Sequence, residues 1–164
     1  MDIEYKSFPN KRELYEFIHE QLHLILEETT DITAILANLS ALLMLEISHI
    51  NWAGFYLYKN EKLVLGPFQG KPAVAEIEIG SGVCGTAAET LKTQIVKDVH
   101  SCCNHIACDI ATNSEIVVPI LLKNGSLYGV MDIDSPNPSH FDEEDKKGLE
   151  AVAVILSDVI TGRI

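Results

Sequence analysis

The sequence predicts a single α+β domain, an antiparallel β-sheet with helices packed on one side. Three observations lead there. Apolar residues recur at helical spacing near both ends of the 164-residue chain, and between them the period shortens to two. The clearest extended segments are joined by short turns, as neighbouring antiparallel strands are. A composition of 47% hydrophobic and 22% charged residues is that of an ordinary globule long enough to bury a core.

Taken in order, residues 11–28 (KRELYEFIHEQLHLILEE) put Leu14, Phe17, Ile18, Leu22 and Ile25 on one helical stripe. Asp31 caps a second helix, Ile32 to Glu46. NWAGFYLY (51–58) and KLVLGPF (62–68) read as strands joined at Lys59-Asn60-Glu61. AVAEIEI (73–79) reads as a third, ended by Gly80-Ser81-Gly82. CGTAAETLK (84–92) suits a short helix, TQIV (93–96) a brief extended piece, and residues 97–114 a long irregular loop. EIVVPILLK (115–123) and SLYGVMDID (126–134) form a hairpin across Asn124-Gly125, a pair that favours a type I′ turn. Phe141 to Ile160 is a closing helix with Leu149, Val152, Ala153 and Leu156 on its apolar stripe.

The charge balance excludes some partners. With 24 acidic and 12 basic side chains the net charge is −12, which repels nucleic acid and anionic membranes. Basic doublets such as Lys146-Lys147 are isolated, so neither is expected as a partner. The stretch MDIEYKSFPNKRELYEF has no apolar signal region, and no apolar run of about 18 residues follows it. The expected location is cytoplasmic, where thiols stay reduced.

Three of the four cysteines lie in HSCCNHIACD (100–109). Cys102, Cys103, Cys108, His100 and His105 could supply zinc ligands, but no C-x2-C pair exists and adjacent cysteines are awkward. A Cys102–Cys103 disulfide is poor, because neighbouring Cα atoms stand about 3.8 Å apart, below the usual span. Burial explains Cys84 best, yet a thiol at a helix start also gains thiolate stability. Thiols on separate segments, Cys84 and Cys108, could form a transient disulfide.

Strand alternation decides which side chains the loop can meet. Ala53, Phe55 and Leu57 share a core face; Trp52, Gly54, Tyr56 and Tyr58 share the other, an aromatic wall with a glycine gap. Leu127, Met131 and Ile133 oppose Tyr128, Val130, Asp132 and Asp134, which leaves the two acids about 6–7 Å apart on one surface. A two-residue turn sets Glu115 directly across from Asp134. These acids could be a solvated face. Like charges paired across strands are destabilising, however, so a cluster implies a cation or a retained proton.

The segments NWAGFYLY, LVLGPFQGKPA, GSGVCGTAAET, TQIVKDVH, HIACDIATNSEIVVPI and GVMDIDSP, in this order, resemble the free methionine-(R)-sulfoxide reductases. The resemblance runs from about Ile32 to Leu156 and implies a single GAF domain over residues 1–164, with a ligand pocket under loops. It implies reduction of free L-methionine (R)-S-oxide, with no metal and no organic cofactor. Cys108, the cysteine of HIACD, would be the nucleophile, and Cys84, of GVCG, the resolving thiol. Substrate contacts would come from Trp52, Tyr56, Glu115, Asp132 and Asp134, with Glu115 or Asp134 holding the catalytic proton. The oxidised enzyme would pass through a sulfenic acid and a disulfide to a thioredoxin-type reductant.

Two departures loosen the resolving step. Val74 stands where many members carry a third cysteine, and Cys102 and Cys103 are extra thiols that could substitute for Cys84. The alternatives are a GAF sensor that binds a small molecule without turnover, and a thiol redox sensor. The terminal helices, residues 1–30 included, could form a homodimer bundle or simply cover the sheet.

Overall fold

The computed structural model describes residues 7–101 and 110–162. Cys102, Cys103, His105 and Cys108 lie outside the described residues.

Helix α1 (Lys11–Glu28) starts where the Asn10 side chain accepts the Glu13 N–H at 3.0 Å. Its core residues are Tyr15, Ile18 and Leu22, flanked by Leu14 and Ile25. Phe17 departs from the expected stripe. It packs on the Phe8 ring at 5.3 Å, and Tyr15 takes the core position. Helix α2 (Ile32–Glu46) is capped as expected, Asp31 accepting the Ala34 N–H at 2.9 Å. Helix α4 (Glu143–Thr161) begins with a capping box between Asp142 and Asp145, two residues past the expected Phe141. No described helix is long and apolar enough to cross a membrane.

Among the described residues, six strands form one antiparallel sheet: β1 (Trp52–Lys59), β2 (Lys62–Gly70), β3 (Glu76–Glu78), β4 (Gln94–Val96), β5 (Ser114–Leu121) and β6 (Leu127–Ser135). Their spatial order is β3-β2-β1-β6-β5-β4. Helices α2 and α4 lie on one face, and α1 packs across both of them. Ala53, Phe55, Ile116, Val118, Met131 and Ile133 point into that helical core. The short helix α3 (Gly82–Thr90) stands on the opposite face, where Trp52, Tyr56, Cys84, Val117 and Val130 form a second, smaller core. Fully burying one such large apolar side chain contributes about 1.5–3 kcal/mol, so both faces are firmly held.

The hairpin turns differ from expectation. The type I′ geometry belongs to the β1–β2 connection, where Asn60 (φ 50°) and Glu61 (φ 64°) are both left-handed and Lys59 pairs with Lys62. At the β5–β6 connection the loop has three residues, Lys123 to Gly125. The Leu122 N–H donates to Ser126, the Gly125 N–H donates to Leu122, and Gly125 alone is left-handed at φ 83°. Leu121 then pairs with Leu127 but Ile120 pairs with Gly129, so Tyr128 is the extra residue of a β-bulge. The longer loop and the bulge offset one another. Glu115 therefore faces Asp134 as expected, while Leu127 and Tyr128 exchange faces: Tyr128 packs on the helical core and Leu127 on the smaller one.

Candidate active site

The register builds the site in two rows across the sheet. Trp52 of β1, Asp134 of β6 and Glu115 of β5 stand side by side, and Gly54, Asp132 and Val117 form the next row. Alternation turns Trp52, Asp132, Asp134 and Glu115 to the face that carries α3. The acids are not solvated: Asp132 is 0% exposed, Asp134 2% and Glu115 4%. Cys84, in the first turn of α3, is 5% exposed. Its sulfur and one oxygen each of Glu115 and Asp132 lie within 4.8 Å of one another.

Burial dominates the electrostatics. It pushes the Glu115 carboxyl well above its ordinary value, the Asp134 charge pushes the same way, and the adjoining Asp132 carboxyl opposes them. Asp132 is raised well above its ordinary value by burial and then by the Glu115 charge, with the Cys84 thiol acting against them. The two carboxyls therefore titrate as a coupled pair, both held toward the protonated form. Neither Asp132 oxygen meets a partner at normal hydrogen-bond geometry among the described residues, although the Cys84 and Glu115 groups are near enough to bear on its proton.

The aromatic wall is closed rather than gapped. Trp52 stacks on Phe68 at 5.2 Å and on Tyr56 at 6.0 Å, and both Trp52 and Tyr56 are fully buried. The expected space over Gly54 is filled: a Cβ there would meet the Phe68 Cβ at 2.3 Å and the Trp52 ring at 2.8 Å. The polar ends of the wall hold the β2–β3 connection. The Trp52 Nε1–H donates to the Lys71 carbonyl at 3.1 Å, and the Tyr56 hydroxyl donates to the Val74 carbonyl at 2.9 Å.

Helix α3 enters the site through left-handed Gly80 (φ 84°) and Gly82 (φ 62°), and its N-cap Ser81 makes no side-chain cap bond. A cavity of about 10 Å³ lies between this entry and the sheet, bounded by Ile77, Ser81, Gly82, Cys84, Glu115 and Asp132 among others. It has room for one water-sized occupant.

Sequence reasoning missed the neck of the long loop. The Val99 N–H donates to the Asn113 carbonyl at 3.0 Å, and His100 Nε2 bonds the Asn113 Oδ1 at 3.0 Å. Asn113 Nδ2–H also donates to the Pro136 carbonyl at 2.6 Å. His100, weighed above as a zinc ligand, is exposed and bound to this asparagine. The sequence signal was Asp98 and Asn113, one near each end of the loop, residue types that bond nearby backbone.

A sheet with three helices on one face, and a small enclosed site beneath α3 on the other, defines a GAF domain; residues 29–161 match that family. The structure superposes on a free methionine-R-sulfoxide reductase from Neisseria meningitidis in complex with its substrate at a TM-score of 0.90 and 39% identity, covering 97% of this chain and 95% of that one. The free methionine-R-sulfoxide reductase of Escherichia coli (strain K12) is 46% identical over 151 residues, 92% of this chain and 91% of the relative. Its namesake in Saccharomyces cerevisiae is 42% identical over 162 residues, 94% of this chain and 90% of the relative. The chain thus belongs to the free methionine-(R)-sulfoxide reductase family of GAF-domain proteins.

Proposed function

We propose that this protein reduces free L-methionine (R)-S-oxide to methionine, using its own thiols as the immediate reductant. One observation carries the proposal: a cluster of buried acids, Glu115, Asp132 and Asp134, beside Cys84 and Trp52. The relatives' names support the substrate and its R configuration.

A sulfoxide oxygen leaves only when protonated, and burial keeps a proton on Glu115 where an exposed carboxylate would have lost it. Asp134, directly opposite, is the alternative donor. The negative charge remaining on the cluster binds the substrate ammonium. A methionine within a peptide offers a neutral amide instead, which leaves a buried acid unsatisfied at a cost of about 1–3 kcal/mol or more. Trp52 and Tyr56 enclose the S-methyl end through sulfur–aromatic contact.

Cys108 is the proposed nucleophile. Its thiolate attacks the activated sulfoxide sulfur to form an S–S bond as the protonated oxygen leaves as water; a water then attacks the Cys108 sulfur, which breaks that bond, releases methionine and leaves Cys108 as a sulfenic acid. The Cys84 thiol then displaces that oxygen as water and forms a disulfide, with Cys102 or Cys103 as substitutes. A thioredoxin-type dithiol reduces the disulfide and supplies the two electrons of each turnover. The cytoplasm, where such reductants work, is the proposed location.

The test is a thiol count on the reduced protein with the R and S sulfoxides of L-methionine and with the N-acetylated R compound. Two thiols should disappear per methionine formed from the free R compound, and few with the others. Cys108→Ser should abolish methionine release, and Cys84→Ser should allow one turnover and then stall unless the doublet rescues it. Equal turnover of the N-acetyl compound would remove the carboxylate–ammonium step; ligand binding without thiol loss would favour a sensor.

A further inference from the structure

We propose that Cys84, Glu115 and Asp132 form a binding site for a thiophilic divalent cation of the zinc class. The sulfur and the two carboxylate oxygens lie within 4.8 Å of one another, and all three residues are buried. They come from three separate elements, the first turn of α3, the start of β5 and the middle of β6, so no sequence spacing reveals them.

A second observation points to an occupant. Asp132 is 0% exposed, and neither of its oxygens meets a partner at normal hydrogen-bond geometry among the described residues, its polar neighbours being the Cys84 thiol and the Glu115 carboxyl themselves. Its carboxyl lines the same cavity as Cys84 and Glu115. A buried carboxylate with neither oxygen satisfied is costly unless a cation or a donor fills the space beside it.

The donor set selects the ion. One thiolate and two carboxylates match zinc, which takes sulfur at about 2.3 Å and oxygen at about 2.0–2.2 Å and tolerates three protein ligands with an open fourth position. Ligand atoms around a tetrahedral zinc stand roughly 3–4 Å apart, so closure needs shifts of about 1 Å, within reach of side-chain rotation. Calcium requires about six to eight oxygens, and magnesium a near-ideal octahedron with retained waters; neither accepts this sulfur. The cavity between these three residues, of about 10 Å³, has room for an ion.

The site stands whether or not the reductase reading holds. If both hold, zinc occupies the resolving thiol and two of the acids proposed for the ammonium, and so acts as a reversible inhibitor that competes with substrate.

The decisive experiment uses the Cys102→Ser/Cys103→Ser/Cys108→Ser protein, which keeps Cys84 as its sole thiol and cannot turn over by the proposed route. Zn²⁺ binding is read by calorimetry, and Cd²⁺ binding by the ultraviolet thiolate-to-metal charge-transfer band. One ion per chain should bind. The charge-transfer band should vanish when Cys84→Ser is added, and Asp132→Asn should weaken binding by more than about tenfold, as loss of a direct ligand exceeds the loss of an outer-shell partner. Mg²⁺ and Ca²⁺ should give no signal. An absent band, or one unchanged by Cys84→Ser or Asp132→Asn, overturns the proposal. Should the triple variant misfold, alkylation of the native protein, read by peptide mass spectrometry, replaces it. Zn²⁺ must then slow labelling of Cys84 severalfold; protection confined to Cys102, Cys103 and Cys108 places the metal elsewhere and overturns the inference.

Discussion

At Glu115 and Asp132, folding and chemistry pull in opposite directions. Both carboxyls are raised well above unfolded values near 4.5 and 3.8, so the folded protein binds their protons more tightly than the unfolded chain does. Below those unfolded values both states are protonated and burial carries little penalty. As pH rises above them the unfolded chain ionises freely while the folded one resists, and stability falls toward alkaline pH. Glu115→Gln and Asp132→Asn remove the ionisation while keeping most of the shape. Each should therefore gain stability relative to the native protein as pH is raised from about 5 to 9. Urea unfolding at several pH values checks this, with methionine release falling in the same variants. A stability difference that does not change with pH would show that neither group holds its proton through folding.

At the scale of elements, introducing a glycine at one position and removing one at another make opposite predictions. Glu61 is a non-glycine residue at φ 64° in the β1–β2 turn, a conformation that costs an L-residue roughly 1 kcal/mol. Glu61→Gly should raise the unfolding free energy by up to about that amount, less the extra freedom glycine has when unfolded. In α4, helix propensity alone would make Gly148→Ala favourable by about 1 kcal/mol. Packing reverses the sign. A Cβ at Gly148 would lie 2.1–2.5 Å from the Tyr15 ring, and that ring is held by its hydroxyl bond to Asp145 at 2.9 Å. Overpacking of this kind costs about 1–3 kcal/mol, so Gly148→Ala should lower the melting temperature. Chemical denaturation of the two variants side by side separates turn strain from helix contact.

Across the whole molecule, the net charge of −12 sets the response to salt. Ion pairs such as Lys62 with Glu76 and Glu78, and Lys123 with Asp158, are exposed and contribute little. The Lys11 contacts to Asp142 and Asp145 tie α1 to α4 but involve one cation. Self-repulsion should therefore outweigh attraction. Raising ionic strength from about 0.01 to 0.15 M shortens the screening length from about 30 to 8 Å, and the melting temperature should rise by calorimetry. A fall would mean that the surface pairs dominate.

Alternation and helical period are local properties, so the amino-acid sequence by itself determined the helices, the strands and the common face of Trp52, Asp132 and Asp134. It also placed Glu115 opposite Asp134, although by a two-residue turn where the chain uses a three-residue loop and a bulge whose effects offset. Only the tertiary structure decided that Leu127 and Tyr128 exchange faces, that Phe68 fills the space over Gly54, and that Cys84 meets Glu115 and Asp132. Each of those depends on how far one element stands from another. That distance is fixed by side chains packing between segments remote in sequence, which no local period encodes.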